Sequence, residues 1–289
     1  MTQRNAIIMA AGTSSRFVPL SVERPKGLVE VKGEILIERQ IRQLKEAGVT
    51  DITLVVGYKA EMFAYLRDKY AVDIVYNEDF ARYNNTSSLI RVIEKLDNTF
   101  ICSSDNYFPE NVFTRESVDS YYSALYAEGK TNEYCLITNT EDQITDVKVG
   151  GHDSWYMVGH VFFNHEFSEK FRKLMIKEYC NETTKQGYWE DLYIRYIDQL
   201  PKMKINRYQE GDIQEFDSLD ELRMFDESYK NDTRSSIVKQ ICKQLEVEEA
   251  CVHAFRNIKH KGNYLQFQFK VYDDVYEYNA ENGIEIKKI

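Results

Sequence analysis

The chain has no apolar run long enough to cross a bilayer, and its first residues carry no signal-peptide pattern. Together these absences predict a cytoplasmic protein with no membrane insertion. It also has no C-x-x-C pair. The five cysteines (Cys102, Cys135, Cys180, Cys242 and Cys251) are scattered, so they read as reduced thiols rather than a disulfide frame or zinc site. Nor is there an excess of positive charge. The formal net charge is −10, which argues against nucleic acid as a partner and against general attraction to anionic membranes. An anionic small molecule stays open, because local Arg, Lys and a bound metal decide that. Neither an internal repeat nor a low-complexity tract is present, and Asn-x-Ser/Thr triplets such as Asn181-Glu182-Thr183 mean little without secretion. What remains is a chain of 289 residues, 43% hydrophobic and 13% aromatic. That is enough for a real core in one large domain, or one domain with an appendage.

The most informative stretch lies near the N-terminus. Ala6 to Met9 is a short apolar run of the kind that forms a buried parallel strand. It breaks into Ala10-Ala11-Gly12-Thr13-Ser14-Ser15-Arg16, and Arg24-Pro25-Lys26 follows. Residues with little or no side chain let a triphosphate approach backbone N–H groups. Arg16 adds a forked cation suited to phosphate oxygens and Lys26 a point charge. The string is not a P-loop, since no Gly-Lys-Ser/Thr closes it, and the later glycines of a dinucleotide fingerprint are missing. The plainer alternative is a strand–turn–helix unit with an incidental Arg and Lys.

Strand and helix then alternate. Ile35 to Ala47 reads as a helix with Ile37, Ile41 and Leu44 on one face, ended by Gly48. Asp51 to Val56 is a strand with Gly57-Tyr58 as its exit. Lys59 to Tyr70 is a second helix, and Asp73 to Tyr76 a third strand. The pattern predicts an α/β, Rossmann-like, mainly parallel mixed sheet, with ligands beyond the carboxyl ends of its strands. In Tyr83-Asn84-Asn85-Thr86-Ser87-Ser88-Leu89 the polar side chains either cap a helix from Ser88 to Leu96 or read a base and ribose. Thr99 to Cys102 is a buried strand running into Ser103-Ser104-Asp105-Asn106-Tyr107. An Asp in that place either forms the turn or binds Mg²⁺, which prefers oxygen ligands.

Farther on, aromatics stand beside acids or glycines at Glu133-Tyr134, Trp155 to Gly159, and Gly187-Tyr188-Trp189-Glu190-Asp191. Most aromatics in a chain with 21 Tyr fill cores or surfaces. A cage of aromatic faces also holds a quaternary ammonium, at roughly 0.5–2 kcal/mol per face. Glu190 and Asp191 either complement the dipole of the helix they open or serve a ligand. Ser218 with Glu221 reads as a capping box opening a further helix. The main domain is expected to close near Tyr229, and Lys230-Asn231-Asp232-Thr233 reads as a polar joint. In the tail, Ser235 to Leu245 reads as a helix, and Leu265 to Val271 and Val275 to Tyr278 as strands. This makes a small C-terminal α+β appendage over 230–289.

The string from Ala10 to Arg16 with Pro25-Lys26 resembles the A-A-G-x-G-x-R … P-K fingerprint of the sugar-nucleotide-type nucleotidyltransferases, with Ser14 in place of the second glycine. Asn84-Asn85-Thr86-Ser87-Ser88-Leu89 resembles the Asn-Asn-x-x-Ser-Leu element of the bacterial CTP:phosphocholine cytidylyltransferases. The likeness covers about residues 4 to 229. It implies a GT-A-like nucleotidyltransferase fold, CTP as donor, Mg²⁺, and phosphocholine as acceptor. By the same likeness the catalytic residues are Arg16, Lys26 and Asp105. CTP is bound by Ala10, Ala11, Gly12, Thr13, Ser14, Arg16, Lys26, Asn85, Ser87 and Asp105. The headgroup is bound by Tyr134, Trp155, Tyr188, Trp189 and Glu190, and the metal by Asp105 together with one of Glu190 and Asp191. The relatives often carry a second Asp where this chain has Ser103, and Trp where it has Tyr134. The tail weakly resembles the opening of choline-kinase-like N-lobes, with Lys261-Gly262-Asn263 ahead of a hairpin, and stops before any kinase Asp. It reads as a lid, a docking surface or an element of a homodimer. Three alternatives accompany the main reading: transfer to 2-aminoethylphosphonate, a sugar-1-phosphate nucleotidyltransferase, and a nucleotide-binding regulator without catalysis.

Overall fold

The computed structural model describes residues 3–114, 118–258, 266–280 and 284–289. The chain divides into two compact units, residues 1–12 with 37–215, and residues 13–36 with 216–289.

The first unit is built on a seven-stranded sheet. Its strands are β1 (Asn5–Ala10), β2 (Asp51–Val56), β3 (Asp73–Tyr76), β4 (Thr99–Ser103), β5 (Tyr121–Thr138), β6 (Ile144–Phe163) and β7 (Lys204–Arg207), in the order β7-β5-β6-β4-β1-β2-β3. β1 pairs in parallel with β2 and β4, and β2 with β3; β6 runs antiparallel to both β4 and β5. Ile7 and Ile8 on β1 and Leu54 and Val55 on β2 are fully buried, as a central strand covered on both faces requires. The expected mainly parallel mixed sheet is therefore present, with the mixing confined to the β5–β6 side.

The helix expected over 35–47 is α1 (Leu36–Glu46), whose Ile37, Ile41 and Leu44 are buried. The next expected helix is broken: Ala60–Phe63 is a 3-10 turn and only Tyr65–Tyr70 is α-helical. The one expected over Ser88 to Leu96 instead begins two residues earlier, as α2 (Thr86–Ile90), and passes into a 3-10 turn at Ile93–Lys95. α3 (His165–Glu178) and α4 (Trp189–Arg195) complete the helices that matter here. β5 and β6, of 18 and 20 residues, form one long bulged hairpin. The aromatic segments at Tyr134 and Trp155 lie within the two arms of that hairpin.

In the second unit, Phe216 to Tyr229 groups with the tail, so the joint expected at 230–233 is not where the chain divides. The reason is visible in side chains. Buried Arg223, on α5 (Leu219–Phe225), donates to the carbonyls of Tyr229, Glu249 and Val252. Tyr229 donates its hydroxyl to Glu30 O at 2.6 Å, and the Ser236 N–H donates to Glu23 at 2.7 Å. The expected capping box forms in part, with Glu221 N–H donating to Ser218 Oγ at 3.2 Å. α6 (Ser236–Leu245) is capped by Ser235 and buries Ile237, Val238, Ile241 and Cys242. An antiparallel sheet of β8 (Val252–Asn257), β9 (Gln266–Val271), β10 (Asp274–Asn279) and β11 (Glu285–Lys288) follows in that order, packed through Phe255, Phe267, Phe269 and Tyr278. Its outer strands were not read from the sequence, and Lys261-Gly262-Asn263 lies outside the described residues. Among those residues, no helix is long and apolar enough to cross a membrane.

Arg223→Ala removes the guanidinium that donates to the carbonyls of Tyr229, Glu249 and Val252. A stability loss of about 3 kcal/mol is expected from orphaned acceptors, measurable by denaturant unfolding; a loss below about 0.5 kcal/mol would show that water replaces the guanidinium.

Candidate functional site

Parallel pairing decides which ends meet. Ile8 pairs with Cys102 and Met9 with Ser103, while Ala10 pairs with Val56. The exits of β1, β2, β3 and β4 therefore share one edge of the sheet: Ala11 and Gly12, Gly57, Asn77, and Ser104 and Asp105. The Ser104 N–H donates to Met9 O at 3.1 Å, tying the acid turn to β1 directly. The Tyr58 N–H donates to Ala11 O at 3.1 Å. Gly57 has no choice of side chain, because a Cβ there would stand 2.9 Å from Ala11 O and 2.6 Å from Phe80 Cβ. Gly12 faces open space, as a phosphate-cradling loop needs.

The chain passes at Thr13 into the second unit. There Ser14 takes a left-handed conformation, φ 49°, so the position of the usual glycine keeps a glycine-like backbone at a cost of roughly 1–2 kcal/mol. Arg16 pairs with Asp217 at 2.6 Å, and the almost fully buried Lys26 approaches the same carboxylate at 3.6 Å. Two cations and one shared acid form a compact charged group within this unit.

At the first unit's edge, Asp105 Oδ1 accepts a hydrogen bond from Ser103 Oγ at 2.6 Å. Ser103, standing where the resemblance has a second Asp, thus orients the remaining one. Sequence reasoning missed Glu215. Its two-residue strand Gln214–Glu215 pairs antiparallel with Asn106–Tyr107, placing Glu215 opposite Asn106. This brings the exposed Glu215 alongside Asn106, the residue after Asp105. A two-residue strand leaves no periodic signal to read.

The second cluster gathers at the start of α4. Asn85 Oδ1 accepts from the Trp189 N–H at 2.8 Å, and its Nδ2 donates to Glu190 Oε2 at 3.1 Å. Asn85 therefore caps α4, not the helix it precedes. Tyr122 donates its hydroxyl to Glu190 Oε1 at 3.2 Å. Asp191 accepts from the Tyr188 N–H at 2.8 Å and from the Tyr134 hydroxyl at 3.0 Å. Burial pushes the Glu190 carboxyl up to about 7; its hydrogen bonds to Asn85 and Tyr122 pull the other way and Asp191 adds to the rise. Burial first, and then Asp191, also raise the Tyr134 hydroxyl. A cleft of about 330 Å³ lined by Thr183, Thr184, Gly187, Tyr188, Asp191 and Arg195 opens beside this cluster.

The expected site residues take up several local contacts. No three His, Cys, Asp or Glu side chains among the described residues form a metal-holding group, and Glu190 and Asp191 are both engaged at the start of α4. Ser87 is fully buried, with its hydroxyl between Asn84 O and Asn77 Nδ2, so it supports the loop rather than contacting a nucleotide. Trp189 is 2% exposed and packs against Tyr122, Phe163 and Phe171, which makes it core rather than a cage wall. Half-buried Trp155 already carries the Arg207 guanidinium over its ring, 5.4 Å from the centroid, and meets Tyr126 edge-on. Tyr134 and Tyr188 remain at the cluster, and Tyr122 joins them.

Residues 6–140 match the family model described as a MobA-like NTP transferase domain. The choline-phosphate cytidylyltransferase of Streptococcus pneumoniae is 35% identical over 227 residues, 78% of this chain and 99% of that protein. The 2-aminoethylphosphonate cytidylyltransferase of Lancefieldella rimae is 34% identical over 229 residues, 78% of this chain and 93% of that protein. A solved structure of the CTP:phosphocholine cytidylyltransferase from Streptococcus pneumoniae superposes with a TM-score of 0.75 at 35% identity, covering 79% of this chain and all of that one.

The raised Glu190 carboxyl has a measurable consequence. Its proton is held more tightly in the folded state, so its contribution to stability falls as pH rises from about 4.5 to about 7 and is constant above. Relative to Glu190→Gln, the parent protein should lose stability across that window in denaturant titrations; parallel stability–pH curves would contradict the raised carboxyl.

Proposed function

We propose that this chain, which belongs to the choline-phosphate cytidylyltransferase family within the sugar-nucleotide-type nucleotidyltransferases, transfers CMP from CTP to phosphocholine, releasing pyrophosphate. The observation that carries the reading is the shared edge: a small-residue turn and an acid turn on adjacent parallel strands, locked by Ser104 N–H to Met9 O.

Chemistry at the α-phosphorus asks for positioning and charge neutralisation rather than covalent work. A phosphate oxygen of the acceptor attacks in line, the bond to the β-phosphate oxygen breaks, and pyrophosphate leaves with that electron pair. No covalent enzyme intermediate is needed. The backbone after β1 offers N–H donors to the triphosphate; the countercharge is the role that the family resemblance assigns to Arg16 and Lys26. Asp217, which both cations share, keeps them oriented.

The donor set at the acid turn fits Mg²⁺. Asp105 offers a hard oxygen oriented by Ser103, and Glu215, on the strand paired with Asn106–Tyr107, is a candidate for a second alongside Glu190 and Asp191. Mg²⁺ takes one or two carboxylates and completes its shell with waters and substrate phosphates, so one or two carboxylates at this turn would suffice. When bound, the ion would neutralise charge developing on the nucleotide phosphates.

For the headgroup, Glu190 and Asp191 supply negative charge, and Tyr134 and Tyr188 supply aromatic faces. Here a second reading has its own support. With Trp189 in the core and Trp155 under Arg207, two of the four aromatic rings expected around a quaternary ammonium are already engaged. A primary ammonium such as that of 2-aminoethylphosphonate needs acceptors more than faces.

Pyrophosphate release with CTP and Mg²⁺, in competition between phosphocholine and 2-aminoethylphosphonate, separates the two. Phosphocholine should win; preference for the phosphonate would transfer the assignment. Asp105→Asn should lower turnover by at least about 10²–10³-fold, and near-normal Mg²⁺-dependent turnover in that variant would remove Asp105 from the metal site. Binding of CTP with no turnover on any headgroup would favour a regulator.

A further inference from the structure

Behind the acid turn lies a row of donors that neither the fold nor the proposed chemistry explains by itself. Arg39, Gln40 and Gln43, on one side of α1, all aim side-chain N–H groups at backbone carbonyls between Ser103 and Pro109. Arg39 donates to Phe108 O at 2.9 Å and Pro109 O at 2.6 Å, and Gln43 to Phe108 O at 2.9 Å. Gln40 is different in its target. Its Nε2 donates to Ser103 O at 2.7 Å and to Asn106 O at 2.9 Å. One amide thus grips both ends of the four-residue turn that carries Asp105.

Two further observations bear on Gln40. It is 1% exposed, and its own Oε1, like that of Gln43, is buried with no hydrogen-bond partner; what distinguishes Gln40 is the target of its Nε2, the two ends of the acid turn. A half-satisfied buried amide is unfavourable, and α1 already packs through Ile37, Ile41 and Leu44. The amide cannot be turned over, because its oxygen would then face two carbonyls. Second, the turn it grips is also held by Ser104 N–H to Met9 O and by Ser103 Oγ to Asp105 Oδ1. With Gln40 fixing the ends, the position of the Asp105 carboxylate is set from three directions.

We propose that Gln40 is a positioning residue for the metal-binding carboxylate, holding the Ser103–Asn106 turn so that Asp105 meets a divalent ion without rearrangement. The proposal rests on the assignment of Asp105 as the metal carboxylate. Partners that orient a metal ligand typically matter about 10–100-fold in metal affinity or activity.

The test uses Mn²⁺ as the spin-active probe, its affinity measured by electron paramagnetic resonance on the full chain with CTP present and no acceptor. Gln40→Leu should weaken Mn²⁺ binding by about 10-fold or more and lower kcat, with KM for the acceptor little changed. Gln43→Leu removes a comparably buried amide from the same helix without touching the turn, so it should alter only thermal stability. Should Gln40→Leu not fold, Gln40→Met, matched in length and lacking the donor, gives the same readout. Wild-type Mn²⁺ affinity in the Gln40 variants, with binding lost in Asp105→Asn, overturns the role of Gln40 alone. Equal losses in the Gln40 and Gln43 variants reduce it to a structural amide. Full Mn²⁺ affinity in Asp105→Asn instead overturns the metal assignment, and the role of Gln40 falls with it.

Discussion

The parallel pairing of β1 with β4 is the constraint on which the site depends. Register in a parallel ladder is all or nothing: a one-residue slip turns every side chain to the other face. With Met9 opposite Ser103, the small-residue turn and the acid turn leave the sheet side by side. The Ser104 N–H to Met9 O bond carries the ladder one step past the strands. Both strands are buried on both faces, so the register is enforced by the same apolar burial that forms the core. The small-residue turn and the Asp105 turn are thereby placed by buried strands of the first unit, not by loops alone.

The polar groups around that edge are supported from behind. Asn77 is fully buried and donates to Ser87 Oγ and Ser88 Oγ. Asn85 ties the loop after β3 to the start of α4 and to Glu190. Gln40 holds the acid turn. Each is an uncharged amide that offers both a donor and an acceptor, and can fix a backbone or a carboxylate without altering the net charge that a triphosphate would meet. In the second unit the arrangement is ionic instead, with Asp217 shared by Arg16 and Lys26.

Much of this was legible from residue order. The strand–loop at Ala6 to Gly12, α1, β2, β3 and the Asp105 turn followed from periodicity and from breaks into small or polar residues. So did the Ser218–Glu221 cap. What escaped had no local signal. Ser14 reads as a departure from a glycine pattern, yet its backbone adopts the left-handed form. Asn85 looks like a cap for the helix after it, and caps one that starts about a hundred residues later. Trp189 sits beside two acids in sequence, but at a helix start one side chain can face the core while the next faces a ligand. Glu215 reaches the acid turn through a two-residue strand, and the 18- and 20-residue arms of the β5–β6 hairpin carry bulges that blur the alternation. Long-range pairing decided each of these.

The central claim is that the edge shared by β1 and β4 carries the nucleotide and its metal. A crystal of the protein grown with CTP and Mn²⁺, with the manganese located by its anomalous scattering, tests it most directly. The account predicts manganese bonded to an Asp105 oxygen, with the triphosphate against the backbone of Ala11 and Gly12. Manganese and nucleotide at any other edge of the sheet, with Asp105 still turned onto Ser103, would contradict it.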